Sequence, residues 1–567
     1  KYVSGFTGES AYAIITMDKA LIWVDSRFYI SAAKEMDDSW TMMKSSEEST
    51  PSRSGWLVDN LKPGSKVGID PNVMPYENYN FWENKLKTKN MSFVPDKTNL
   101  IDSIWDKRPA YTNAPLMIMD IKYTGKEIGK KVEEVRESMK KQSATILVVT
   151  ELDGVAYMTN LRGGDIPYNP VFYGYLIITV TEIHLFTDEK RITPEVKEHF
   201  KAEKADIIVH PYADVHTFLG NEIKKTTKTD MVWIPDTSAY SIASLATPDS
   251  LIVDAIPVQL MKSMKNEAEI KGMTESAIRD SAALVSYLSW LESEVKAGHN
   301  VNEISGAQKL EEFRKKQEFF VGLSFATISA VGPNAAMVHY EATNETAKPI
   351  TATEIYLLDS GAQYKDGGTT DVTRTMHFGT PTDFEKDVFT RVFKGVVDLA
   401  STVFPNNATK GQQLDSIARR ALWQVGLNFG HGTGHGIGSF LNVHENYVGV
   451  WTDYFRKQPN LQIGMFLSDE PGYYEEDKFG VRIENDMHVV SAKTVYSKNN
   501  VTYLTFKTIT LVPIQVSLLD LKLLTAEEKT FLNDYHKECL DVVGPVLKKQ
   551  NENEAYEWLV ANTKPVV

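Results

Sequence analysis

"FGHGTGHGIGSF", residues 429–440, sets a glycine at every second position from Gly430 to Gly438, with His431 and His435 between them. A helix would carry both imidazoles of His-x-x-x-His on one face. Each interior glycine costs a helix about 0.8–1.0 kcal/mol, however, and this stretch repeats the cost at every second residue. A dinucleotide loop needs G-x-G-x-x-G and a P-loop needs a terminal Gly-Lys-Ser/Thr; neither pattern is present. A strand fits best. Period two puts His431, Thr433, His435 and Ile437 on one face and bare glycines on the other. Such glycines mark close approach by a ligand or another backbone. The plain alternative is a flexible glycine loop with incidental histidines.

The rest of the chain bounds the answer. Its 567 residues exceed one core, and such a length suggests roughly three or four domains. Apolar residues make up 42% and charged residues 24%, an ordinary balance for a soluble globular protein. The net charge of −14 argues against nucleic acid or an anionic membrane as the main partner. The single cysteine, Cys539, excludes an internal disulfide and a thiolate metal cluster, and fits a reducing, cytoplasmic compartment. The plain reading of that thiol is an inert, partly buried side chain. No apolar run approaches the ~20 residues that span a bilayer. "KYVSGFTGES" opens without Met and reads as the middle of a domain, which points to residues before Lys1 and leaves room there for a targeting segment.

One internal echo organises the first half. "IITMDKALIWVD" (14–25) and "IITVTEIHLFTD" (177–188) share Ile-Ile-Thr and a closing Asp, and both read as two short strands around a polar turn. A helical stretch follows each. Two related α/β domains are expected, joined in the Pro-containing segment 105–115. A second boundary lies near residue 260, where Asn266 can cap a long helix with Glu269 at the capping-box position. Leu284, Leu288, Leu291 and Val295 form its apolar stripe, and Gly298 ends it. The divisions are 1–112, 113–262 and 263–567. Near the end, "TAEEKTFLNDYHKECLDVVGPVLKKQ" reads as one or two amphipathic helices with a structural role.

Histidines, Gly-rich turns and acids cluster in the third domain. "IYLLDSGAQYKDGGTTDVTRT" runs from an apolar strand ending at Asp359, through "KDGG", to Asp371 on a returning strand. "FLSDEPGYY" places Glu470 after another apolar run. "FGVRIEND" points Phe479, Val481 and Ile483 one way and Arg482 and Glu484 the other. "VGPNAAMVHY" offers His339. Singly, each has a bland reading as a turn acid, a solvated strand residue or a surface histidine. Together, four carboxylates and the His435 imidazole can balance and hold two divalent ions. Oxygen-rich ligation with one nitrogen favours Mn²⁺, Co²⁺ or Fe²⁺-like ions. Two such ions about 3.5–4 Å apart can clamp a displacement reaction.

In this order, "LLDSGAQY", "TTDVTRT", "HGTGHGIG", "DEPGYY" and "VRIEN" resemble the metallopeptidase family with the pita-bread catalytic fold, which includes methionine aminopeptidase, prolidase, Xaa-Pro aminopeptidase and the non-peptidase creatinase. "YVSGFTGESAYAIIT", "NPVFYGY" and "SFATISAVGPNAAMVHY" make the whole chain similar to its long, three-domain Xaa-Pro aminopeptidases of the eukaryotic cytosol. The resemblance implies an α/β and α+β multidomain chain: two creatinase-like N-terminal domains, then a pita-bread catalytic domain. It implies a dinuclear site, Mn²⁺ first with Co²⁺ or Zn²⁺ as alternatives, held by Asp359, Asp371, His435, Glu470 and Glu484, with Asp371 and Glu484 bridging.

By the same resemblance, Glu470 is also the general base toward a metal-bound water. His339, His431 and His444 line the substrate cleft, and one or two of them stabilise developing oxyanion charge. Arg482 orients a carboxylate from outside the ligand shell. Peptides with proline second are the implied substrates, cut by a homodimer. The two aspartates stand one residue further apart than the family pattern, and a longer turn or a bulge at the "KDGG" tip would absorb the extra Gly. A dipeptide-only prolidase, a creatinase-like amidinohydrolase and a non-catalytic binding module are the competing readings.

Overall fold

The computed structural model describes residues 1–8, 10–453, 456–496 and 498–567. They form two compact units. The first comprises residues 1–121, 126–166 and 171–260; the second comprises 122–125, 167–170 and 261–567.

In the first unit the sequence echo is a structural one. Strands Tyr12–Ile15 and Ala20–Val24 form an antiparallel hairpin. A 3₁₀ turn (Ser26–Phe28), a helix (Tyr29–Glu35) and a strand (Trp40–Lys44) parallel to Ala20–Val24 follow. The same order recurs as hairpin Tyr175–Thr179 and Ile183–Thr187, turn Glu189–Arg191, helix Pro194–Ala202 and parallel strand Ile207–Pro211. The shared aspartate has the same task in both copies. Asp25 accepts from the Arg27 amide and Asp188 from the Lys190 amide, which closes the turn after the hairpin. The second hairpin belongs to a six-stranded sheet completed by Ala144–Val149, Met231–Ile234 and Leu251–Val253. Ile146, Val148, Ile177, Phe186 and Ile234 form its core.

The second unit begins with the expected helix, Glu267–Lys296. Asn266 caps it, Glu269 completes the capping box, and Gly298 follows the end with φ +75°. The stripe Leu284, Leu288, Leu291 and Val295 is buried. It packs with Leu358, Val372, Val481, Ile483, Val512, Leu532 and Val543 in one core that joins helices to sheets. A three-stranded sheet orders Ile328–Val331, Tyr356–Ser360 and Val372–Met376. A six-stranded sheet holds Gly434–Gly436, Glu445–Val450, Phe466–Asp469 and Asn485–Ala492. The C-terminal stretch forms helices Ala526–Lys549 and Asn553–Asn562. Cys539 lies fully inside the first of them, more deeply than expected, and burial pushes its thiol up to about 12. Among the described residues no helix is long and apolar enough to cross a membrane.

Candidate metal centre

The two aspartates sit on one hairpin. Asp359 pairs with Thr373 and Ser360 with Val372; further out, Gln363 pairs with Thr369 and Tyr364 with Gly368. The ladder therefore keeps a single register, and only Lys365, Asp366 and Gly367 remain at the tip. The extra residue is absorbed there as a three-residue turn, with Gly367 at φ +114°. Thr373 faces Asp359 across the ladder, and Asp371 lies two residues before Thr373. Both acids thus project from the same face as diagonal neighbours. At the neck, a Cβ on Gly361 would lie 1.9 Å from the Thr370 carbonyl, so only glycine lets the two strands approach this closely.

The glycine stretch is strand only over Gly434–Gly436, and the expectation that His431, Thr433, His435 and Ile437 share one strand face is corrected. Its neighbours are otherwise engaged. Arg419 takes the carbonyls of Phe429 and His431 at 2.6 Å each. The Glu470 amide takes the Thr433 carbonyl at 2.8 Å. Past His435 the pairing jumps from Gly449 to Glu445. The bare glycine faces meet backbone: a Cβ on Gly434 would lie 1.9 Å from the Ser468 carbonyl, and one on Gly436 would lie 2.5 Å from that of Glu445.

This packing delivers His435 to the acids. Its Nε2 lies 3.3 Å from Asp371 Oδ2 and 3.4 Å from Glu470 Oε1. Ligand atoms of Asp371, His435 and Glu484 all fall within 4.8 Å of one another. Nδ1 lies 2.9 Å from the Gly436 carbonyl, which assigns the proton to Nδ1 and leaves the Nε2 lone pair toward the carboxylates. Ser468 Oγ accepts from the His435 amide at 3.0 Å and donates to Glu470 Oε1 at 3.2 Å.

Arg482 and Glu484 do share a face, as the alternation predicts. Arg482 donates from Nη2 to Asp359 Oδ2 at 2.6 Å and from Nε to Thr373 Oγ1 at 3.1 Å. Thr373 in turn donates to Glu484 Oε2 at 2.7 Å. The third Arg482 contact, Nη1 to the Tyr474 hydroxyl at 2.6 Å, leads to His431, whose Nε2 lies 2.8 Å from that hydroxyl. His431 Nδ1 lies 2.7 Å from the Gly432 carbonyl. His431 is buried and both ring nitrogens are engaged. It faces Tyr474 rather than projecting beside His435. Burial, and then the Arg482 charge, hold its pKa well below the ordinary histidine range, so it is neutral.

His339 is half-buried and His444 exposed. The His444 ring stands edge-to-face against His435 with centroids 4.2 Å apart. The loop carrying His339 is anchored by the next residue, Tyr340, whose hydroxyl donates to the buried Glu303 at 2.8 Å.

Sequence reasoning missed several supports. Asp486 accepts from the Asp371 amide at 3.0 Å. Tyr474 and Thr373 relay the Arg482 contacts. Arg374 bonds the Glu484 carbonyl, Asn485, the Val512 carbonyl and the Tyr535 hydroxyl behind the site. The runs "DEPGYY" and "TTDVTRT" contain Tyr474, Thr373 and Arg374, but nothing in their spacing separates a relay or brace from a strand residue.

The electrostatics ask for cations. Burial, and then the charge of Asp359, push the Asp371 carboxyl well above its usual range; burial, and then Asp371, do the same to Glu484. Burial also raises Glu470. Asp359 Oδ1 is buried with no hydrogen-bond partner. Carboxylates this close cannot all ionise without compensating positive charge. Four carboxylates and one neutral imidazole nitrogen are the donor set that Mn²⁺-like ions prefer, and two dications match their charge. The residues present fit a dinuclear centre.

Known families match most of the chain. Residues 1–104 and 107–269 each match the creatinase/prolidase N-terminal domain; residues 271–491 match metallopeptidase family M24; and 502–566 match the C-terminal region of that peptidase family. The chain is 43% identical to the Xaa-Pro aminopeptidase ApepP of Drosophila melanogaster, covering 100% of this chain and 92% of that protein. The X-prolyl aminopeptidase of Caenorhabditis elegans, described as a cytosolic enzyme with a di-nuclear active site, superposes with a TM-score of 0.96 at 38% identity, over 100% of this chain and 91% of that one. The Xaa-Pro dipeptidase of Bacillus anthracis gives a TM-score of 0.51 at 26% identity, over 68% of this chain and 99% of that one.

Proposed function

The chain belongs to metallopeptidase family M24, with two creatinase/prolidase N-terminal domains before a pita-bread catalytic domain, and on that footing we propose that it hydrolyses the bond between an N-terminal residue and a following proline in peptides. The observation that carries the reading is the approach of His435 to Asp371, Glu470 and Glu484 in a chain similar over its whole length to Xaa-Pro aminopeptidases. The dipeptidase reading has less support, because the dipeptidase relative covers only 68% of the chain.

Asp359, Asp371, His435, Glu470 and Glu484 would hold two divalent ions, Mn²⁺ in our reading. Bound there, the ions supply an activated water and polarise the scissile carbonyl. Glu470, raised by burial, takes the proton from the attacking water and passes it to the leaving prolyl nitrogen. His339 and His444 donate to the carbonyl oxygen as charge develops on it. His431, the third histidine of the cleft, acts through Tyr474. Arg482 fixes Asp359 and, through Thr373, Glu484.

The three-domain division at 1–112, 113–262 and 263–567 is part of this reading and is supported by the separate family matches. A cytosolic location is supported by the description of the worm enzyme. A homodimer completes the proposal.

The test is a matched pair of peptides longer than two residues, one with Pro and one with Ala second, assayed with Mn²⁺, with chelator, and with Glu470→Gln. First-residue release from the Pro peptide alone, abolished by chelator and lowered roughly 10²–10⁴-fold in the variant, is expected. Release confined to dipeptides would favour prolidase chemistry, and turnover of creatine would favour the amidinohydrolase.

A further inference from the structure

The segment just before the first helix of the second unit carries two lysines that the reaction does not use. Lys262 Nζ lies 2.7 Å from Glu445 Oε1, and Lys265 Nζ contacts Glu445 Oε2. All three side chains are buried. Glu269, one turn into the helix, adds a negative charge that acts on Lys265. Stability alone is a poor reason for such a group, because well-packed apolar residues of similar volume usually serve as well or better. Its position suggests another reason. Glu445 directly follows His444 and opens the strand Glu445–Val450. Its backbone is fixed as well: it pairs with Gly436, whose missing Cβ leaves room for the Glu445 carbonyl. The lysine segment is itself held. The Lys265 amide donates to the Gly464 carbonyl at 3.0 Å, and Met264 bridges Met465, immediately before the strand that leads to Glu470.

We propose that Lys262 and Lys265 are positioning residues for the reaction: by holding both carboxylate oxygens of Glu445, they fix where the His444 imidazole stands against His435. The proposal rests on the functional reading of His444 given above.

The test replaces both lysines and Glu445 with apolar residues of similar size, Lys262→Met/Lys265→Met/Glu445→Leu, which leaves the Glu269 carboxylate to its capping contact with the Asn266 amide. Lys262→Met alone is the milder companion, leaving Lys265 paired with Glu445. Each is combined with His444→Ala and assayed for kcat and KM on an Xaa-Pro peptide, bound metal and melting temperature. The triple variant is expected to keep its metal and its melting temperature while kcat falls roughly 10- to 100-fold, as for a misplaced reacting group. In the His444→Ala background the same replacement should cost nothing further. Unchanged kcat, or a loss that adds in full to that of His444→Ala, overturns the proposal. The imidazole proton signal of His444, assigned with His444→Ala, is read independently of activity. It should move in the triple variant, and an unmoved signal overturns the proposal even if no peptide is cleaved. Failure of the wild type to cleave any Xaa-Pro peptide, with the signal moving as expected, would instead count against the assigned activity.

Discussion

Arg482 spans Asp359 and the Tyr474 hydroxyl with two guanidinium nitrogens, each at 2.6 Å. A third donor reaches Thr373, which passes the contact to Glu484. One planar fork therefore orients residues from both the hairpin and the "VRIEN" strand. Lysine keeps the charge but cannot hold these directions together. Arg482→Lys should weaken metal retention roughly 10–100-fold, the usual cost of removing an outer-shell partner. Metal analysis after dialysis against graded chelator reads this directly. Retention equal to wild type would show that Arg482 does not orient Asp359.

The raised carboxyls make stability depend on pH in a way that metal reverses. Asp371 and Glu484 have folded pKa values above their unfolded ones, so without metal the folded state binds more protons. Their contribution is complete below the unfolded value, about 4, and is lost as pH rises toward the folded value. Metal binding demands the ionised form and gains with pH. The gap in melting temperature between metal-loaded and chelator-treated protein should widen from about pH 5 to about pH 8, by scanning calorimetry. A gap that narrows over that range would contradict the assignment.

Gly434 has no room for a methyl group. Its Cβ would stand 1.9 Å from the Ser468 carbonyl, and Ser468 also bonds the His435 amide and Glu470. Gly434→Ala should cost about 1–3 kcal/mol by overpacking, seen in denaturant unfolding, and should lower metal retention as well. Stability loss with metal retention intact would separate the packing of this strand from the delivery of His435.

Tyr535 closes the back of the site from the helix Ala526–Lys549. Its hydroxyl accepts from Arg374 at 2.8 Å and from the Val512 amide at 3.2 Å. Tyr535→Phe keeps the ring and leaves Arg374 its bonds to Asn485 and the Val512 carbonyl, but strands the buried Val512 amide, which should cost about 1–3 kcal/mol in global unfolding. An unchanged melting curve would mean that water takes the place of the phenol.

The candidate ligands could be picked out of the sequence because each lies beside a strong local signal. Asp359 and Glu470 end apolar runs, Glu484 closes an alternating run just past the strand Phe479–Arg482, and His435 is framed by glycines. The repeated hairpins were legible for the same reason, since Ile-Ile-Thr and the closing Asp both have local tasks. What period two could not reveal was where the glycine strand stops. Arg419 and the Glu470 amide claim its carbonyls from elsewhere in the chain, and no local pattern records that. Tyr474, Arg374 and the lysine pair at Glu445 escaped for a related cause: each meets at least one partner distant in sequence, and their own neighbourhoods read as ordinary strand or helix.

The C-terminal brace also bears on the order in which the enzyme becomes competent. Arg374 leaves the ribosome soon after Asp371, but Tyr535, in the helix Ala526–Lys549, follows 161 residues behind Arg374. Domains tend to fold as they emerge, N-terminal ones first. The hairpin that carries both aspartates can therefore form long before its rear support exists. A nascent chain would hold its ions with full strength only once that helix docks, so the centre matures well after the residues that form it have been made.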